Sequence, residues 1–244
     1  MNPVTRSISR NAVRGLLDEL AAEDCAVTVC VSAETLGARD YGHLLPESEP
    51  ERSQVAEALA EGGSSDTGVA VFAAPERVVA VQPPFPLTVD VRAAGLESKP
   101  ILEVFNSEPV VGIVLLRLGR YAIAVLRGNK LLATKTDTRY VKNRHRKGGS
   151  SQRRFERSRE RLVREFYDTT CRMTRTVFEP HLRDIDYVML GGERGTLNGF
   201  VKRCRMMRDL ESKTLSRILP VDRPNQKALE SISYEVWKSR VTFW

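Results

Sequence analysis

Apolar positions recur with two periods along this chain, and the change from one to the other marks its elements. Val13, Leu16, Leu17 and Leu20 fall on one helical face between Ser9 and Ala22, with Ser9 as a candidate cap. The β-branched run Ala26–Ser32 predicts a strand, and Gly68–Ala73, Val78–Gln82 and Leu87–Val91 predict three more, with Pro83, Pro84 and Pro86 separating the last two. Between them, residues 43–66 are rich in Glu, Ser, Pro and Gly around a short helical piece, 54–60, and predict an exposed connection.

A second pattern begins near Pro100. Apolar runs at 110–118, 121–126 and 130–136 are separated by Gly119-Arg120 and Gly128-Asn129, which predicts an antiparallel three-stranded meander. Phe155, Leu162, Phe166, Met173 and Val177 form a stripe on a long helix from about 153 to 179, which Pro180 stops. A short strand, 187–190, then runs into Gly191-Gly192. A helix over 196–207, a strand over 215–221 and a last helix over 224–238 follow. Strand, helix and strand added to a meander predict an α/β fold with a mixed sheet. The expected organisation is an acidic N-terminal α/β domain, residues 1–99, and a larger domain, 100–244.

Charge divides along the same line. Residues 1–100 hold 8 basic and 15 acidic side chains, a net of −7, whereas 101–244 hold 30 and 16, a net of +14. The basic excess is concentrated at 139–164, where eleven Arg or Lys face two Glu, a net of +9. So dense a positive run points to a polyanion, and assigns nucleic-acid binding to the second part of the chain. Lys142, Arg144, His145, Arg146, Lys147, Arg153, Arg154 and Arg157 are the expected RNA contacts. Within that field lies the uncharged segment Gly148-Gly149-Ser150-Ser151-Gln152. Paired glycines let a backbone approach a ligand closely, and Ser and Gln offer neutral donors and acceptors. This segment is the candidate reactive tip.

Other chemistry is poorly supported. The four cysteines (25, 30, 171, 204) lack zinc spacing and read as small core residues of a reducing compartment; the three histidines form no ligand pattern. No metal or cofactor is expected. Asp184, Asp186 and Glu193 flank one strand without forming a nuclease-like cluster, and read as surface or capping residues. Gly191–Gly199 lacks the residues of a phosphate-binding loop, so a tight turn before a helix is expected. Without an apolar leader or a long apolar span, the expected location is cytoplasmic, with no membrane partner.

Val111–Leu116, Ala124–Asn129, His145–Gly149, Gln152–Arg157 and Tyr187–Gly192 together resemble the catalytic middle domain of the eukaryotic and archaeal class I peptide-chain release factors. They are closer still to bacterial members of the Vms-like release-factor branch, which are peptidyl-tRNA hydrolases of ribosome rescue. The resemblance runs from about Pro100 onward. It implies an RNase H-like α/β core preceded by a smaller α/β domain, with the ribosomal large subunit and peptidyl-tRNA as partners. It also implies ester hydrolysis of peptidyl-tRNA without stop-codon reading, since the chain ends at Trp244 with no evident decoding module. Release factors place glutamine directly after the two glycines. An ungapped match on Phe155 would set Ser150 there, whereas loops of the branch with Ser-Gln before Arg-Arg-Phe match Ser151-Gln152. The catalytic role is carried to Gln152, with Gly148, Gly149, Ser150 and Ser151 around it. The rivals are a non-catalytic ribosome- or tRNA-binding quality-control factor and, more remotely, a nuclease.

Overall fold

The computed structural model describes residues 3–63, 65–141 and 151–244. In chain order the elements are β1 (Val4–Ile8), α1 (Arg10–Ala22), β2 (Val27–Val31), α2 (Ala33–Ala38), α3 (Glu51–Gly62), β3 (Val69–Ala73), β4 (Val78–Gln82), β5 (Val91–Ala94) and α4 (Lys99–Asn106). Then come β6 (Val110–Arg117), β7 (Arg120–Arg127), β8 (Lys130–Thr138), α5 (Ser151–Phe178), β9 (Tyr187–Gly192), α6 (Arg194–Arg203), α7 (Arg205–Asp209), β10 (Thr214–Leu219), α8 (Gln226–Glu230), α9 (Ile232–Val236) and β11 (Ser239–Phe243). Two compact units result: residues 1–107 with 234–244, and residues 108–233.

This division differs from the expected 1–99 and 100–244, because the end of the chain returns to the first unit. There, a six-stranded sheet runs in the order β1-β11-β4-β3-β2-β5, antiparallel throughout. Trp237 meets Phe85 edge-on with centroids 5.1 Å apart, and the Arg10 guanidinium lies 4.8 Å from the indole. Every residue of β2 and β3 is buried. Val29, Val31, Val69 and Val71 share a core cluster with Val55 and Leu59 of α3. Ser9 caps α1 as expected, accepting from the Ala12 amide.

One expected strand of this unit moves. Residues 87–90 lie outside the sheet and β5 begins only at Val91. The Asp90 carboxylate accepts from the Ser32 amide and the Thr35 hydroxyl, both at 2.6 Å, so it is committed to the start of α2. These bonds hold its pKa below the usual carboxylate range against the cost of burial.

The second unit contains the meander and the mixed sheet the sequence predicts, in the order β10-β9-β6-β7-β8, with β9 parallel to β6 and β10 parallel to β9. Its core joins Val114, Leu116, Tyr121, Ile123 and Val125 of β6 and β7 to Phe166, Val177 and Phe178 of α5 and Leu197 and Phe200 of α6. Gly192, with φ +120°, ends β9 where any Cβ would strike the Leu116 carbonyl, so the glycines serve close strand packing. Helix 196–207 is interrupted: α6 starts earlier and Cys204, in extended conformation, separates it from α7. The expected last helix is two short ones followed by β11.

The cysteine expectation is corrected in part. Cys25 and Cys30 are free and buried, but Cys171 and Cys204 are joined in a disulfide.

Candidate nucleic-acid interface

Helix α5 has two halves with different environments. From Phe166, which is 2% exposed, its inward positions Thr170, Thr174, Val177 and Phe178 are buried; between 152 and 165 none is. Two threonines on a buried face are unexpected from the apolar stripe. Their hydroxyls donate to the Phe166 and Thr170 carbonyls one turn back, both at 2.9 Å, so no donor is left unpaired. Phe155, Leu162 and Met173 of the predicted stripe are only half-buried.

The anchored half is fixed laterally as well. Arg203 donates twice to the Asp168 carboxylate, at 2.5 and 2.7 Å. Those bonds, outweighing partial desolvation, hold Asp168 below the usual carboxylate range.

The less buried half carries the charge. Residues 152–165 hold six arginines against three glutamates. Arg153, Arg154 and Arg157, the expected contacts of this helix, are all exposed. No acidic residue occupies the first turn, so the partial positive charge of the helix start is uncompensated. Gln152 lies in that first turn, half-buried, and its Nε2 donates to Glu156 Oε1 at 3.0 Å. Ser151 begins the helix.

The preceding strand reaches the same region. The Arg139 amide donates to the Gly119 carbonyl at 2.7 Å, pinning the chain just after β8, and the Arg139 guanidinium pairs with Asp137 at 3.4 Å. Tyr140 follows and is 78% exposed, the most exposed large hydrophobic side chain among the described residues. It lies within the basic run, yet nothing in its spacing singles it out; an aromatic side chain among arginines and lysines is the available signal. Residues 142–150 therefore connect a pinned strand end to an anchored helix. The candidates Lys142, Arg144, His145, Arg146, Lys147, Gly148, Gly149 and Ser150 lie outside the described residues.

The carboxylates have structural partners. Asp186 accepts from the Val110 amide at 2.8 Å, Glu193 from the Thr196 hydroxyl at 2.8 Å, and Asp184 pairs with Arg127 at 3.7 Å. Among the described residues no group of three His, Cys, Asp or Glu side chains could hold a metal ion, and no helix is long and apolar enough to cross a membrane.

The profile of the Actinobacteria/chloroflexi VLRF1 release factor family matches residues 109–242. Peptide chain release factor subunit 1 of Methanopyrus kandleri is 31% identical over 147 residues, 58% of this chain and 35% of that protein. Its counterpart in Methanosphaera stadtmanae is 34% identical over 103 residues, 42% of this chain and 25% of that protein. The aligned part is thus about a third or less of these relatives' length. Among solved structures, the Vms1 mitochondrial localization core superposes with a TM-score of 0.42 at 11% identity, covering 92% of each chain. The archaeal translation termination factor aRF1 gives 0.39 at 16% identity, covering 94% of this chain and 73% of that one.

Proposed function

The chain belongs to the Actinobacteria/chloroflexi VLRF1 release factor family, and from that premise we propose that it is a peptidyl-tRNA hydrolase. It frees nascent peptide from tRNA on stalled ribosomes or large subunits in the cytoplasm. The observation that carries this reading is the start of α5: Gln152 in an arginine-rich first turn with no acidic residue, directly after the Gly-Gly-Ser-Ser segment.

Ester hydrolysis needs a water held against the carbonyl and donors where negative charge develops; it needs neither a metal nor an ionisable side chain. The Gln152 amide orients the water or the terminal ribose, and a neighbouring backbone N–H donates to the developing oxyanion. Gly148 and Gly149 permit close backbone approach. Arg153, Arg154 and Arg157, with Lys142, Arg144, His145, Arg146 and Lys147, hold rRNA and tRNA phosphates. They supply binding energy remote from the reacting bond. Tyr140 offers an aromatic face on which a nucleobase stacks.

The deciding assay follows peptide release from purified stalled 50S–peptidyl-tRNA complexes. Release by the wild-type chain, lost in Gln152→Ala with ribosome binding retained, supports the reading. Binding without release by the wild type would overturn it in favour of a non-catalytic ribosome- or tRNA-binding role.

A further inference from the structure

Helix α5 meets the corner between α6 and α7 at three successive levels. Tyr167 packs against Gly199, where an added Cβ would come within 2.6 Å of the phenol oxygen. Asp168 takes the two bonds from Arg203. Cys171 is bonded to Cys204, with Cα atoms 5.3 Å apart. That separation lies in the middle of the range a disulfide spans without backbone movement.

The two residues differ in exposure: Cys204 is fully buried, whereas Cys171 is half-buried, which makes Cys171 the side from which a small reagent would enter. Cys25 and Cys30 make a useful contrast. Both are buried in the first unit and free, so neither offers a disulfide to the thiol pool. A disulfide in a protein working in the cytoplasm is seldom permanent; most such bonds are transient and respond to the thiol pool.

We propose that Cys171 and Cys204 form a reversible thiol–disulfide site, exchanging with low-molecular-weight disulfides, whose closure staples the anchored half of α5 to the α6–α7 corner. The inference rests on the functional reading above only for the compartment. In the closing reaction the Cys171 thiolate attacks one sulfur of the small disulfide, forming a mixed disulfide and expelling a thiolate that takes up a proton. Deprotonated Cys204 then attacks the Cys171 sulfur and expels the second small thiolate. Two protein thiols are oxidised and one small disulfide is reduced to two thiols. Opening is the reverse, driven by excess thiol.

The cross-link joins positions 33 residues apart, so it restricts the unfolded chain and stabilises the second unit. Cys171 lies beyond residues 152–165 on α5, so closure bears on how long the helix stays docked rather than on the chemistry at its tip.

The test uses the full chain, equilibrated with oxidised glutathione or with dithiothreitol, then denatured, alkylated and weighed by intact mass spectrometry. Two alkylated cysteines after glutathione and four after dithiothreitol are expected, with the melting transition of the oxidised protein higher by roughly 5–15 °C. Cys171→Ser should abolish the redox-dependent shift, and Cys25→Ser should preserve it. Four free thiols after glutathione, a bond that native-state dithiothreitol cannot open, or equal melting temperatures would each overturn the proposal. None of these readouts involves the ribosome, so the result stands apart from the peptide-release assay.

Discussion

Gln152 and Glu156 are hydrogen-bonded across one turn of α5, amide nitrogen to carboxylate oxygen, at 3.0 Å. A solvent-exposed pair at this spacing is worth about 0.2–0.5 kcal/mol, too little to withhold the amide from a substrate. Glu156→Ala should therefore leave peptide release within about twofold of wild type, since roughly 0.4 kcal/mol corresponds to that factor. Gln152→Ala should remove most release while ribosome binding persists. If Ser150→Ala inactivates and Gln152→Ala is tolerated in the same assay, the ungapped register is the right one and the catalytic assignment moves to residue 150.

Arg153, Arg154 and Arg157 stand exposed on the less buried half of α5. Each phosphate that the protein no longer neutralises takes roughly 0.7–0.9 off the slope of log binding constant against log salt. Reversing all three to Glu should weaken ribosome association and flatten its salt dependence by about 2–3 in that slope, read from a salt titration. An unchanged slope would make these arginines a solvated helix face.

The parts of the fold that could be read in the sequence are those whose causes are local. Short turns with glycine set the meander, and the repeat of apolar residues set α5 and its end at Pro180. The rest depends on partners distant in sequence. Nothing in Ser239–Phe243 indicates that it pairs with residues 4–8 and 79–82. The displacement of residues 87–90 follows from a carboxylate engaged some 58 positions away, at Ser32. Thr170 and Thr174 break the apolar pattern because their hydroxyls are satisfied within the helix, which no periodicity counts. In the candidate site, the arginines are evident from charge alone. The exposure of Tyr140, the Gln152–Glu156 bond and the Cys171–Cys204 pair emerge only once the chain is folded.

Phe178 lies over Gly112 of β6, and an added Cβ there would approach its ring to 2.7 Å. Both belong to a dense core with Phe178 fully buried, so the ring has little room to retreat. Gly112→Ala should destabilise the protein by about 1–3 kcal/mol through overpacking, measured by denaturant unfolding. A wild-type midpoint would show that the helix end shifts more easily than this packing implies.

Asp168 has a lowered pKa, first because Arg203 donates to it. A depressed carboxylate contributes stability that is present above its unfolded value, near pH 4, and is lost as pH falls through the lower folded value. The pair is about half exposed, so solvent screening keeps its contribution small. Asp168→Asn should thus be slightly less stable than wild type at pH 7, with the gap closing as pH drops below about 4. A gap that stays constant over that range would mean the ion pair contributes nothing to the docking of α5.

Tyr140 and the helix arginines should leave different signatures in binding. The ring is 78% exposed and uncharged, beside a backbone pinned through Arg139 and Gly119, so it can meet a base without reordering the strand. Stacking of a base on an aromatic side chain is worth about 1–3 kcal/mol and releases no counterions. Tyr140→Ala should weaken ribosome binding by about 5- to 150-fold at every salt concentration, shifting the salt titration downward without changing its slope. Tyr140→Phe, which keeps the ring, should bind nearly as wild type. A loss in Tyr140→Phe equal to that in Tyr140→Ala would assign the contact to the hydroxyl, and a change of slope in Tyr140→Ala would mean that the substitution disturbs the neighbouring charges. Either outcome removes the stacking role.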